Sequence, residues 1–266
     1  MTTDDHDPDF GEPQRRDVLA ALGAMAAASA VGGPALAADT PPIQVGMVVY
    51  PDMVLLDLVG PQTALSLGMA EIHLVWKSKT PVSTDVGVPI LPTRTFADAP
   101  KDLDVLFVPG GLKGSTACMS DPEVLAFLAD RGARARYVTS VCTGSLMLGA
   151  AGLLKGYNAT SHWYVRDLLP LMGATTKYER IVTDRNRITA GGVTAGLDFG
   201  LSIVAALRGE DFARRVQLTL EYSPAPPFKS GTPEEAGAVI TEDVRGRRAP
   251  LIAAAKAAAE AAGKRI

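Results

Sequence analysis

Cysteine and histidine are scarce in this chain. Its 266 residues hold Cys118 and Cys142, and only His6, His73 and His162. Two cysteines allow one disulfide at most, which excludes a scaffold stapled by several. Neither stands at zinc-ligand spacing from the other or from a histidine, so no metal is expected. Strong charge of one sign is also missing. The net charge is −3 with both signs mixed, which points to neither nucleic acid nor an anionic membrane as partner. Beyond the N-terminal segment no apolar run reaches membrane-spanning length. No dinucleotide glycine fingerprint follows the first strand-like run. The stretch Gly110-Gly111-Leu112-Lys113-Gly114-Ser115 lacks the Gly-Lys-Ser/Thr ending of a phosphate loop. No cofactor is therefore expected, and neither a repeat nor a low-complexity run is found.

What remains is an ordinary globular composition, 47% apolar and 21% charged, with one atypical end. Arg15-Arg16 precedes an Ala-rich stretch to Val31, and Ala35-Leu36-Ala37 supplies a small-x-small cleavage pattern. A twin arginine ahead of a weakly apolar core reads as a bacterial twin-arginine export signal. Residues 1–37 are thus expected to be removed, and the mature chain to begin at Ala38 in the periplasm. The expected division is a signal over 1–37, a catalytic domain over 38–230 and an Ala-rich helical tail over 231–266. Because the twin-arginine route carries folded proteins, both thiols are expected to be free.

Along the mature chain, strand-like and helix-like runs alternate. Ile43–Val49 is β-rich and nearly continuous in apolar residues, as a buried parallel strand is; Ile72–Trp76 and Asp104–Val108 read as further strands, and the β-prone run at Tyr137-Val138-Thr139 opens another that ends at Val141. Helices are expected from Pro61 to Leu67, Pro122 to Arg131 with Asp121 as N-cap, Ser161 to Leu171, Thr194 to Leu207 and Glu210 to Leu220. Val82 to Pro92, broken by Gly87 and Pro89, reads as a hairpin or an irregular excursion, and Pro233 to Arg265 as a surface helix broken at Pro250. The pattern predicts an α/β fold with an open, mostly parallel sheet covered on both faces. Sites in such sheets lie beyond the carboxyl ends of the strands.

Three strand ends carry the candidate chemistry. Cys142 follows Tyr137–Val141 and precedes Thr143-Gly144-Ser145 and an apolar helical run, the layout of a nucleophile elbow. At a helix N-terminus its thiol pKa is expected to be lowered. Asp57, flanked by Leu56 and Leu58, is either a desolvated general acid/base for that thiol or an N-cap. Gly110-Gly111 lacks Cβ atoms, so its N–H groups, with that of Thr143, are expected to form an oxyanion pocket. Thr143 is also a candidate donor to substrate. His162 is expected to be a pocket wall rather than a base.

These motifs together resemble the DJ-1/PfpI superfamily, and within it the isonitrile hydratases. The resemblance rests on Leu56-Asp57-Leu58-Val59-Gly60-Pro61, Val108-Pro109-Gly110-Gly111, the run from Arg136 through Cys142-Thr143-Gly144-Ser145 to Gly156, Ala159-Thr160-Ser161-His162-Trp163, Gly191-Gly192-Val193-Thr194, and Gln217 to Phe228. It implies a flavodoxin-like three-layer sandwich, a homodimer and no cofactor. It also implies addition of water to an isonitrile to give an N-substituted formamide through a Cys142 thioimidate. In that reaction Asp57 is the general acid/base and Thr143 orients the carboxyl group or the water. Gly110, Gly111, His162, Trp163 and Thr194 are expected at the substrate. Two departures shape the expectation: Thr143 stands where peptidase-type members place a histidine, and an export signal is added. Sensor domains of AraC-type regulators share the elbow and the His-Trp pair, and form the alternative reading. Glyoxalase- or chaperone-like members carry a glutamate at the position of Asp57.

Overall fold

The elements begin where the apolar runs do. The computed structural model describes residues 42–266, so the expected export segment lies outside the described residues. Strand β1 (Ile43–Val48) leads to helix α1 (Leu55–Leu67) and strand β2 (Ala70–Trp76). A small antiparallel pair follows, β3 (Val82–Ser83) and β4 (Pro89–Ile90), and then an edge strand β5 (Arg94–Thr95). Strand β6 (Val105–Val108) runs into α2 (Leu112–Cys118) and α3 (Pro122–Arg134), and β7 (Tyr137–Val141) into α4 (Gly144–Ala150). After β8 (Asn158–Ala159), a 3-10 helix (Arg166–Met172) and β9 (Thr175–Thr176) come the hairpin β10 (Ile181–Asp184) and β11 (Arg187–Ala190). Helices α5 (Ala195–Arg208), α6 (Glu210–Thr219) and α7 (Pro233–Gly263) complete the chain.

The main sheet has the order β10-β11-β7-β6-β1-β2-β5. Every neighbouring pair is parallel except β10–β11. This is the expected mostly parallel α/β fold with helices on both faces. The central strands are buried throughout: Val45, Met47, Leu106, Phe107, Val138 and Val141 are all inaccessible. Two-sided burial is why these runs read as continuously apolar rather than alternating. Strand ends are aligned, with Val108 opposite Ser140 and Ala190 opposite Val141, so the loops after β1, β6 and β7 emerge at one edge. Strand order reverses between β1 and β6, the place where such sheets open a crevice.

Three expectations about elements are corrected. Helix α1 starts at Leu55, not at Pro61, which lies inside it. The proline removes only the bond to the carbonyl four residues earlier, that of Asp57. The stretch from Ser161 becomes regular only at Arg166, and then as a 3-10 helix, because Ser161 and His162 are tied to the carbonyl of Cys142. Helix α7 passes through Pro250 and departs from helical geometry at Gly237 instead (φ 77°). The carbonyl that Pro250 leaves unbonded belongs to Gly246, which is exposed to solvent. Nor is α7 only a surface element: Ala255, Ala259 and Ala262 are buried against α2, α4 and the 3-10 helix. Among the described residues no helix is long and apolar enough to cross a membrane.

Candidate active site

Cys142 adopts φ 54°, a left-handed conformation that non-glycine residues reach only under constraint. The constraint comes from both sides of its peptide. Its N–H donates to the carbonyls of Ala190 (3.0 Å) and Gly191 (2.7 Å). Its carbonyl accepts from Ser161 Oγ (2.9 Å) and the His162 N–H (3.3 Å). Helix α4 begins immediately after, and Gly144 is required there because a Cβ would run into the carbonyls of Val108 and Pro109. The elbow expected from the sequence is therefore present, clamped by residues from β11 and from the His162 loop.

Asp57 reaches this elbow from the first turn of α1. It is fully buried, and its Oδ2 accepts the Gly110 N–H at 2.9 Å while its Oδ1 has no hydrogen-bond partner. It does not cap a helix: the N-cap of α1 is Val54, without a side-chain cap. Burial raises the Asp57 pKa to about 7 from an ordinary 3.8. The Cys142 thiol and the Gly110 N–H pull it down, and the charge of Asp85 pushes it up. Burial also raises the Cys142 thiol well above its ordinary value, reinforced by the Asp57 charge, against hydrogen bonds from the N–H and hydroxyl of Thr143. This corrects the expected lowering. The dipole of the seven-residue helix α4 does not offset the desolvation of a thiol only 2% exposed beside a carboxyl group. Burial thus favours the protonated thiol, and the two groups titrate as a coupled pair.

The two glycines serve this pair rather than an open oxyanion pocket. Gly110 N–H is taken by Asp57 and Gly111 N–H by Thr143 Oγ1 (2.8 Å), which also lies 2.9 Å from Ser115 Oγ. Thr143 is thus held by two partners with its N–H and hydroxyl turned to the sulfur. A Cβ on Gly110 would come within 2.5 Å of both Asp57 Oδ2 and Cys142 Cβ, and 2.7 Å of the Thr143 nitrogen. Gly110→Ala is accordingly expected to separate acid from thiol and cost about a hundredfold in kcat/KM. Steady-state rates with an unchanged circular dichroism spectrum check it, and near-normal turnover would remove the close approach from the argument.

Above Cys142 lies a cavity of about 800 Å³. His162 and Trp163 line it, as expected; Thr194 does not. That residue is exposed, borders a neighbouring cavity of about 570 Å³ and is met by the Arg180 guanidinium at 3.4 Å. His162 is held neutral, its pKa lowered to about 4 by burial and by Arg248 and Arg166, and its Nδ1 has no partner. A histidine that resists protonation and touches no carboxylate does not act as a base near neutral pH. The site also contains residues that the sequence did not single out. Tyr164 stacks on His162 (centroids 3.8 Å apart), and Asp85 and Val86 come from the β3–β4 hairpin. Val244, Arg248 and Leu251 come from α7. Their spacing of four and three along a helix was the available signal. Cys118, free like Cys142, is buried elsewhere with its thiol pushed up to about 12. Among the described residues no His/Cys/Asp/Glu group is arranged to hold a metal ion.

Comparison with known proteins identifies the family. Residues 44–206 match the DJ-1/PfpI family. Isonitrile hydratase of Pseudomonas putida is 49% identical over 211 residues, 79% of this chain and 92% of that protein. The crystal structure of a THiJ/PfpI family protein from Pseudomonas syringae superposes with a TM-score of 0.81 at 50% identity, covering 86% of this chain and 98% of that one. The HTH-type transcriptional regulator GbdR of Pseudomonas aeruginosa is 31% identical over 140 residues, and the match spans 37% of the regulator.

Proposed function

The chain belongs to the DJ-1/PfpI family, and from that premise we propose that it is an isonitrile hydratase-like enzyme, adding water to R–NC to give R–NH–CHO. The observation that carries the reading is the buried Cys142–Asp57 pair, one proton between a soft nucleophile and a carboxyl group whose pKa lies near neutrality. The terminal carbon of an isonitrile holds a lone pair and is weakly electrophilic, so it needs a nucleophile and a proton at one atom. The pair supplies both. Asp57 takes the thiol proton, the sulfur bonds to the carbon, and Asp57 returns the proton to that same carbon, leaving the thioimidate R–N=CH–S–Cys142.

Asp57, again a carboxylate, then takes a proton from water as its oxygen adds to the thioimidate carbon, and the nitrogen picks that proton up. Loss of the hydroxyl proton through Asp57 and cleavage of the C–S bond release the formamide and restore the thiol. Hydrogen bonds from Thr143 to the sulfur stabilise it each time it is anionic. Neither step requires His162 to titrate, in keeping with its neutral state.

Cyclohexyl isocyanide incubated with the purified protein is expected to yield N-cyclohexylformamide, read by mass spectrometry; no product above a protein-free control would defeat the proposal. The pH dependence follows from the resting pair. Its active form has the proton on sulfur and Asp57 ionised. A second proton on Asp57, gained as pH falls through about 7, removes the base. kcat/KM is therefore expected to fall about tenfold per pH unit below that point and to be flat above it, until the thiol itself ionises. An acid limb centred near the ordinary carboxylate range would remove Asp57 from this role. The homodimer expected from the resemblance is proposed as the solution state, and a monomeric mass by light scattering at micromolar concentration would contradict it.

A further inference from the structure

The cavity above Cys142 offers more than a small isonitrile needs. At about 800 Å³ it lies in the upper part of the ~300–1,000 Å³ range of pockets that enclose drug-sized ligands. Its wall is mainly apolar, with Leu56, Val59, Trp163, Val193 and Leu251 among the lining residues. Four charged side chains interrupt that wall: Asp52, Asp85, Lys113 and Arg248. Asp52 and Lys113 pair with each other at 3.1 Å. Asp85 is engaged by the Leu55 N–H at 3.0 Å, at the start of α1. Arg248 alone of the four has no hydrogen-bond or ion-pair partner among the described residues.

Its neighbours on α7 are differently placed. Arg245 lies over the Trp163 ring at 5.2 Å, and Arg247 pairs with Asp243 at 3.0 Å. The charge of Arg248 is felt inside the cavity, where after burial it is the largest influence keeping His162 neutral, and it also acts on Tyr164. With His162 uncharged and Lys113 paired, Arg248 is the cation left to meet an anion.

We propose that Arg248 is a specificity-determining residue that receives a carboxylate on the R group, so that the preferred substrates are isonitriles carrying a carboxylate beyond an apolar spacer. The inference rests on the hydratase reading and deepens it. A guanidinium presents a planar fork that matches a carboxylate in two parallel hydrogen bonds. The apolar residues that line the cavity together with Arg248 and Cys142 suit the spacer. Asp57, when ionised beside Cys142, repels the carboxylate and leaves the uncharged N≡C end to meet the sulfur. Binding energy from this remote group is what positions the reacting carbon.

The test compares ω-isocyanohexanoate with its methyl ester and with the corresponding ammonium-bearing isonitrile, on wild type and on Arg248→Met and Arg248→Lys. Wild type is expected to favour the carboxylate over the ester by about tenfold in kcat/KM, most of it in KM. Arg248→Met should abolish that preference and Arg248→Lys retain part of it, a ratio that loss of structure alone does not produce. An ester or ammonium substrate used as well as the carboxylate by wild type, or a preference that survives in Arg248→Met, would overturn the assignment while leaving hydration itself standing. Turnover of none of the three would overturn the hydratase reading beneath it.

Discussion

Cys142→Ala is expected to lose isonitrile hydration by at least about 10⁴-fold, because no other group in the cavity takes its place as nucleophile. The fold should survive. Alanine keeps the Cβ that the elbow packs, and the hydrogen bonds that hold the strained backbone use the main-chain N–H and carbonyl of residue 142, which the substitution leaves in place. The partner left behind reports on the pair. Asp57 loses the thiol that draws its pKa down, so it should titrate higher than in wild type. Product formation and thermal unfolding are the two readouts, and turnover within about a hundredfold of wild type would take the sulfur out of the mechanism. Cys118→Ala is the control. That thiol lies at the end of α2, away from the cavity, and its loss should leave hydration within a few-fold.

Asp57→Asn tests the other half of the pair, and it should move activity and stability in opposite directions. An amide still accepts the Gly110 N–H but cannot carry a proton from sulfur to carbon, so a loss of about 10³-fold or more is expected in kcat. Stability follows from linkage. The folded-state pKa of Asp57 is raised, from 3.8 to about 7. Between those values the folded protein holds this proton more tightly than the unfolded chain does. Its contribution is therefore fully present below the lower value and is lost as pH rises through the upper one. Above about pH 7 wild type carries a buried carboxylate, whereas the Asn variant carries none. The variant should thus melt higher than wild type near pH 8, and the gap should close by about pH 4. A variant that is less stable at both pH values would mean that Asp57 is structural. An Asn variant as active as wild type would end its acid–base role.

Such a trade between stability and chemistry is common where a polar group is buried for use rather than for packing. The site shows it twice, in the raised carboxyl group and in the left-handed backbone of Cys142. Both are held by neighbours that do no chemistry themselves. Ser161 and Ala190 hold the backbone, Gly110 holds the carboxylate, and Ser115 supports Thr143. These supports explain why the surroundings of the pair run to small residues.

The local sequence by itself determined the parts that depend on neighbours in the chain. Largely apolar, β-rich runs such as Ile43–Val48 and Val105–Val108 are satisfied by burial on two faces, as in a parallel sheet. A cysteine between a strand and a run of small residues has the layout of an elbow rather than of a plain core residue, and strand ends of one parallel sheet meet at one edge. Asp57, Gly110 and Cys142 were legible for that reason. Tertiary structure decided everything that depends on what lies across space. Burial, not the short helix behind it, governs the thiol, and it reverses the pKa direction that the helix N-terminus alone implied. Which acceptor each glycine amide finds depends on the distance between loops far apart in sequence, 53 residues for Gly110 and Asp57. The same holds for Thr194, whose motif is local but whose side chain faces the neighbouring cavity. It holds most for α7, whose composition reads as a solvated tail. Only its docking through Ala255, Ala259 and Ala262 brings Val244, Arg248 and Leu251 to the cavity wall, because a helix with one apolar stripe does not encode which surface will bury it.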